Sequence, residues 1–353
     1  MIIMDKLRLD QTSRLASLDI LRGFDMFWIV GGGALIRSIA GGAEYKWLSF
    51  LADQMIHVKW EGFHFLDLIM PLFMFCTGVT IPYSILSKIQ KGISRGTLLK
   101  KILKRGIILI LLGIIYNGAL KGDFVNLKYT SVLGHIGLAY MIAASIFLFT
   151  RTLKMRVMWV LGIMSIIAII QLIVPLLGVG ITPLSEPEGT VKALIDRAII
   201  PGRMTYGTWD SHGILGAVSA ASAIMIGGIA GNILRDGTPA NRRKTLILIY
   251  IGATLMILGI AFSPYYPIVR RAWTVTLNLF TSGISFLLLA FIYYFIDVLK
   301  WKKGIFVYVS YFFKIMGMNA LTIFMVNRFI NFSYTTTFIL GWLEFFWGGG
   351  LLY

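Results

Sequence analysis

Ten apolar stretches recur along the chain, at about 20–40, 64–87, 106–120, 131–150, 157–177, 213–234, 245–262, 276–297, 305–330 and 333–352. Runs of this length leave few options for folding. About 20 apolar residues in a helix match the hydrocarbon thickness of a bilayer. In hydrocarbon, a helix satisfies all of its own backbone polar groups. The predicted fold class is therefore all-α, a polytopic membrane helix bundle of about ten transmembrane helices. Composition points the same way. Of 353 residues, 57% are hydrophobic and 14% charged, against about 25% charged in a soluble domain, and the mean hydropathy is +0.80. The connections leave no room for a separate soluble domain, so residues 1–353 read as a single integral-membrane domain.

The formal net charge is +17. A nucleic-acid partner is not the reading, because the basic residues gather in loops between apolar runs, as cytoplasmic loops do. With a cytoplasmic N-terminus, basic residues favour the cytoplasmic side by about two to one. The acid-free connection holding Lys88, Lys91, Arg95, Lys100, Lys101, Lys104 and Arg105 leads this bias. Both termini are then expected in the cytoplasm, and membrane lipids surround the bundle. The N-terminal residues Asp5, Lys6, Arg8, Asp10 and Arg14 are too polar for a cleaved signal peptide. Cys76 is alone and can form no internal disulfide. The connections 41–63 and 178–212 are long and rich in tryptophan or proline, and read as ordered caps on the outer face.

A chain so apolar must do its chemistry where polarity is concentrated. The densest place is His57–Pro71, which holds His57, Trp60, Glu61, His64 and Asp67. Positive-inside topology puts His57 on the outer side, at the mouth of the second span. A histidine acting as proton carrier or nucleophile needs a partner to orient its ring. Asp67 or Glu61 can be that partner, and Asp210, before the sixth span, can approach the same mouth. No dedicated metal-ligand spacing is present, so no metal is expected. Asp19 and Arg22 lie three apart near the start of the first span and can pair across one helix turn; Arg22 could alternatively meet an anion. His135 falls inside the fourth span, where a hydrogen bond to another helix is the favoured reading. Asn319, with Gly317 and Lys314, interrupts the ninth run and predicts a kink or a broken helix.

These residues carry a resemblance. Arg14–Gly23 is similar to the opening signature of the transmembrane acetyltransferases typified by heparan-alpha-glucosaminide N-acetyltransferase and its bacterial relatives. The resemblance continues through His57, Trp60, Gly62, Asp67, Leu68, Pro71 and Phe73. Asp210 with Gly213–Gly216, then Trp273, and finally Gly317–Asn319 follow in family order. Where the family pattern has an acidic residue after Asp210, this chain has His212. Its Ile29-Val30 replaces an asparagine-containing approach to the glycines.

The resemblance implies an acetyl-CoA-dependent N-acetyltransferase. An acetyl group from cytoplasmic acetyl-CoA would pass to the amine of a glucosamine-type sugar, free or at a glycan end, on the outer face. It makes His57 the active-site histidine, either acetylated or acting as base, with Asp67 or Asp210 orienting it. Arg22, Lys104 and Arg105 would meet the CoA phosphates. Asp19, Trp60, Glu61, His64, His135, Asp210, His212, Trp273 and Asn319 complete the substrate- or CoA-binding candidates. It also suggests a homodimer in a bacterial inner membrane. The rival reading is an amino-sugar transporter without acyl transfer, since polar groups and a broken helix serve transport too.

Overall fold

A computed structural model describes residues 15–41, 45–177, 184, 186–237, 240–301 and 303–330. The described residues are helices and connections. In chain order the α-helices longer than two turns are α1 (Ala16–Phe27), α2 (Gly33–Gly41), α3 (Lys46–Gln54), α4 (Phe65–Ile81), α5 (Arg95–Tyr116) and α6 (Val132–Phe149). There follow α7 (Leu153–Ala168), α8 (Val191–Ile199), α9 (Ile214–Arg235), α10 (Asn241–Phe262), α11 (Val275–Tyr293), α12 (Ile305–Met318) and α13 (Ala320–Phe329).

Six described helices are long and apolar enough to cross a membrane, and a seventh span results if α12 and α13 count as one. These are six or seven of the ten expected spans. The first expected span is divided. A five-residue π-helical turn at Trp28–Gly32 separates α1 from α2, where three consecutive glycines remove the side chains that would hold a continuous helix. The third expected run is the apolar half of α5, whose first turns carry basic residues. The tenth, 333–352, lies outside the described residues. The expected interruption of the ninth run is present: α12 and α13 meet at Asn319 with a bend of 75°.

Helix α9 is the central post, buried along most of its length, whereas α10 is peripheral and mostly exposed. Its small residues explain this position. Helices in lipid gain little from the hydrophobic effect between themselves, so small side chains that allow close backbone approach decide who packs with whom. A Cβ on Gly78 of α4 would lie 1.9 Å from the carbonyl oxygen of Ile224 in α9. The crossing of α1 and α12 is reciprocal. A Cβ on Gly23 would lie 1.7 Å from the Phe313 oxygen, and one on Gly317 would lie 1.8 Å from the Asp19 oxygen. Phe75, Leu72, Phe147, Leu277 and Phe286 fill the core around α9.

Candidate active site

The site is built at the start of α4. His64 is the N-cap, and Asp67, in the first turn, turns its carboxylate back to accept from the amides of His64 (3.1 Å) and Val58 (3.3 Å). An acidic side chain in a first helical turn satisfies free backbone donors and complements the helix dipole. The preceding loop is pinned from a distant part of the chain. Gly62, at φ 116°, donates its amide to the Ile268 carbonyl across 3.0 Å, and Glu61 bridges antiparallel to Val269. This pairing delivers Arg270.

His57, Asp67 and Arg270 form one constellation. Nδ1–H of His57 donates to Oδ1 of Asp67 at 2.8 Å. The Arg270 Nε lies 3.1 Å from the same oxygen, an ion pair, and its Nη2 donates to His57 Nε2 at 3.1 Å. Asp67 is buried, while the His57 side chain is 41% exposed. With the proton on Nδ1 held by the carboxylate, the lone pair resides on Nε2, the nitrogen of a nucleophile or base. The turn carrying Arg270 is tightly held. Trp273 adopts a left-handed φ of 52°, rare for a bulky residue, and its carbonyl accepts from Ser219 at 2.6 Å.

Asp210 does not orient His57. It accepts from the Thr205 amide (2.9 Å) and hydroxyl (2.6 Å) and from the His212 amide (2.9 Å), and its Oδ2 lies 3.6 Å from Lys128 Nζ. Burial acts to raise its carboxyl pKa, but the hydrogen bonds from His212 and Thr205 and the Lys128 charge prevail and hold it far below the usual range. The His212 ring places Nδ1 3.1 Å from Ser211 Oγ and 3.6 Å from Asp210 Oδ1. Burial pushes the His212 imidazolium pKa down, against the pull of Asp210. His135 is buried and lies behind it. The two histidine rings meet edge to face at 5.8 Å, and Trp273 lies 5.0 Å from His135. Among the described residues no other helix supplies the interhelical bond expected for His135, whose polar neighbour is His212 on the loop before α9.

His57, His212 and Arg270 line a cavity of about 460 Å³. Its walls are largely apolar, including Met26, Ile69, Met70, Phe73 and Ile136, with α13 contributing Leu321 and Phe324. Its polar lining comprises His57, His212, Arg37 and Arg270. Arg37 is anchored by donating to the Met55 carbonyl at 2.6 Å.

The other sequence candidates fall elsewhere. Trp60 donates its indole N–H to the Leu184 carbonyl and packs edge-on against Trp209, and Glu61 is exposed on the pinned loop. His64 hooks the loop by its Nδ1 contact with the Ile56 carbonyl at 2.8 Å. Asp19 and Arg22 lie on α1, and Arg22 acts electrostatically on the buried Asp25 of the same helix. Lys104 and Arg105 are exposed on α5, with the Arg105 guanidinium over Tyr140, and neither lines the cavity. Asn319 donates to the Ile315 carbonyl at the bend. Arg270 and Arg37 were missed in the sequence. Among the described residues there is no group of three metal-ligating side chains.

No protein-family model matches the chain. It is 25% identical over 385 residues to heparan-alpha-glucosaminide N-acetyltransferase of Mus musculus, covering 92% of this chain and 55% of that protein. It is 25% identical over 370 residues to the Homo sapiens protein of the same name, covering 88% and 52%. The chain thus spans about half the length of the curated relatives it matches. These similarities support a relationship to the heparan-alpha-glucosaminide N-acetyltransferases, which are acyltransferases.

Proposed function

We propose that this protein is a membrane-embedded acetyltransferase, moving an acetyl group from cytoplasmic acetyl-CoA to the amine of a glucosamine-type sugar on the outer face of a bacterial inner membrane. The observation that carries this reading is a polarised imidazole opening onto an apolar cavity. Asp67 holds Nδ1 of His57, so Nε2 has the lone pair, and His57 lines about 460 Å³ of largely apolar space. Small-molecule sites have this form, a concave apolar body with a few placed polar groups. The apolar walls suit an acyl-pantetheine arm. The similarity to two N-acetyltransferases supports the same chemistry.

In this reading, Nε2 of His57 attacks the thioester carbonyl carbon. Asp67 stabilises the imidazolium character that develops on the ring. Arg270, which donates to Nε2 at 3.1 Å in the resting site, would give up that bond to free the lone pair and donate instead to the carbonyl oxygen as it becomes an oxyanion. The C–S bond then breaks with its electron pair on sulfur, leaving acetyl on His57. The test is purified protein in detergent mixed with acetyl-CoA alone. A burst of one CoA per protomer, lost in His57→Ala, is expected. CoA release only when an amino sugar is present would replace the acetyl-histidine by direct transfer, and no release under either condition would remove the acetyltransferase reading.

The bend at Asn319 favours a second reading. Helix α13 beyond it lines the cavity, and broken helices bordering a central cavity serve transport. Uptake of labelled glucosamine into vesicles without acetyl-CoA would support an amino-sugar transporter instead.

A further inference from the structure

We propose that His212 is a second catalytic base, taking the proton from the acceptor nitrogen as that nitrogen attacks the acetyl group on His57. This deepens the acetyltransferase reading and rests on it.

The second half of such a reaction has a proton to place. The acceptor amine forms a bond from nitrogen to the acetyl carbonyl carbon. The bond between that carbon and His57 Nε2 breaks, and its electron pair returns to the ring. The new amide nitrogen must shed one proton. Acetylated His57 cannot take it, because its Nε2 lone pair is committed to the acyl bond while Nδ1 faces Asp67 at 2.8 Å. The cavity lining supplies few alternatives. Arg37 and Arg270 stay protonated and have no acceptor lone pair. No carboxylate lines the cavity among the described residues. His212 is the other lining side chain that can accept a proton.

Its surroundings fit that task. Nδ1 faces Ser211 Oγ at 3.1 Å and Asp210 Oδ1 at 3.6 Å, and Nε2 makes no hydrogen bond within the described structure. Burial keeps the ring neutral before the proton arrives. Asp210, on the same loop, offsets the charge afterwards. The other charged or titratable groups acting on the ring are Lys128 ahead of α6, Arg270 ahead of α11 and His135 within α6. The two arginines also disfavour a protonated amine in the cavity, so the nucleophile enters as the free base. Each imidazole therefore serves one half of the reaction, backed by its own carboxylate.

The test is CoA release, followed by a thiol reagent, from wild type, His212→Asn and His212→Ala, with and without glucosamine. In His212→Asn the burst of one CoA per protomer is expected to persist. Steady turnover with glucosamine should fall about 10²- to 10⁴-fold, the usual contribution of a general base. Acetyl label should accumulate on His57, and added imidazole should restore part of the turnover in His212→Ala. Steady turnover of His212→Asn at the wild-type rate would overturn the proposal. So would burst and turnover lost together in a variant that melts like wild type, without imidazole rescue. A wild type that gives no burst overturns the acetyl-His57 reading, and this proposal falls with it.

Discussion

Arg270 donates to Nε2 of His57 across 3.1 Å, although 213 positions separate the two residues. The same guanidinium makes its ion pair with Asp67, so one side chain ties the carboxylate to the ring it polarises. Such a group can serve the developing oxyanion only if its geometry is fixed beforehand, and the Glu61–Val269 bridge fixes it. Replacement of Arg270 by Gln should lower the rate of the CoA burst by about 10²- to 10³-fold, as loss of an oxyanion donor does. Rapid-quench kinetics with acetyl-CoA alone would measure it. An undiminished burst would assign Arg270 to holding the loop.

Asp67→Asn keeps the shape and removes the charge. Asn can present an amide N–H to Nδ1, which reverses the tautomer and leaves the proton on Nε2. A carboxylate-to-amide change behind a catalytic histidine typically costs roughly 10⁴-fold in kcat with geometry preserved. The expected outcome is loss of the burst by that order. Arg270, whose side chain is only partly buried, would also lose its charged partner, so the melting temperature in detergent should fall. Wild-type burst kinetics in Asp67→Asn would exclude tautomer control.

The crossing of α1 and α12 gives a prediction independent of chemistry. A side chain at Gly317 would collide with the Asp19 backbone at 1.8 Å, and backbone cannot yield as a side-chain tip can. Gly317→Ala should therefore separate the helices and destabilise the protein by about 1–3 kcal/mol or more, the range for overpacking. Gly162→Ala, on α7 with nothing within 4 Å of its Cβ, should leave melting unchanged or slightly raised. Thermal melting of both variants in one detergent makes the comparison. Equal melting temperatures would contradict the close approach.

Sequence made most of the long apolar helices and the start of α4 legible, because apolar run length and the His57–Asp67 spacing are local signals, whereas the short α3 and α8 fall in connections read only as caps. The approach of Arg270 was not legible. It depends on an isolated bridge between two loops, with no periodicity to announce it, and on Trp273 in a conformation that sequence does not mark. Asp210 was a candidate partner for His57, yet it is spent on Thr205, His212 and Lys128, side chains that share its own loop or the connection before α6. The divided first span shows the limit of hydropathy. Trp28–Gly32 is apolar enough to continue a helix, but its glycines give the backbone nothing to hold it straight.

His212 also links the site to acidity. Burial depresses its pKa below 6.5, so the unfolded chain binds a proton that the folded protein refuses. Between pH 6.5 and the lower folded value, unfolding takes up that proton, and stability falls as pH falls. Asp210 adds a second loss at lower pH. Its carboxylate favours the folded state above the unfolded value of 3.8, and that contribution disappears as pH drops through its depressed folded value. Melting temperatures in detergent should therefore decline from pH 7.5 to 5 in wild type. His212→Asn removes the titrating ring from both states, so its decline over that window should be shallower. Parallel slopes for the two proteins would mean that other groups carry the acid sensitivity and that the His212 imidazole is not held neutral by its burial.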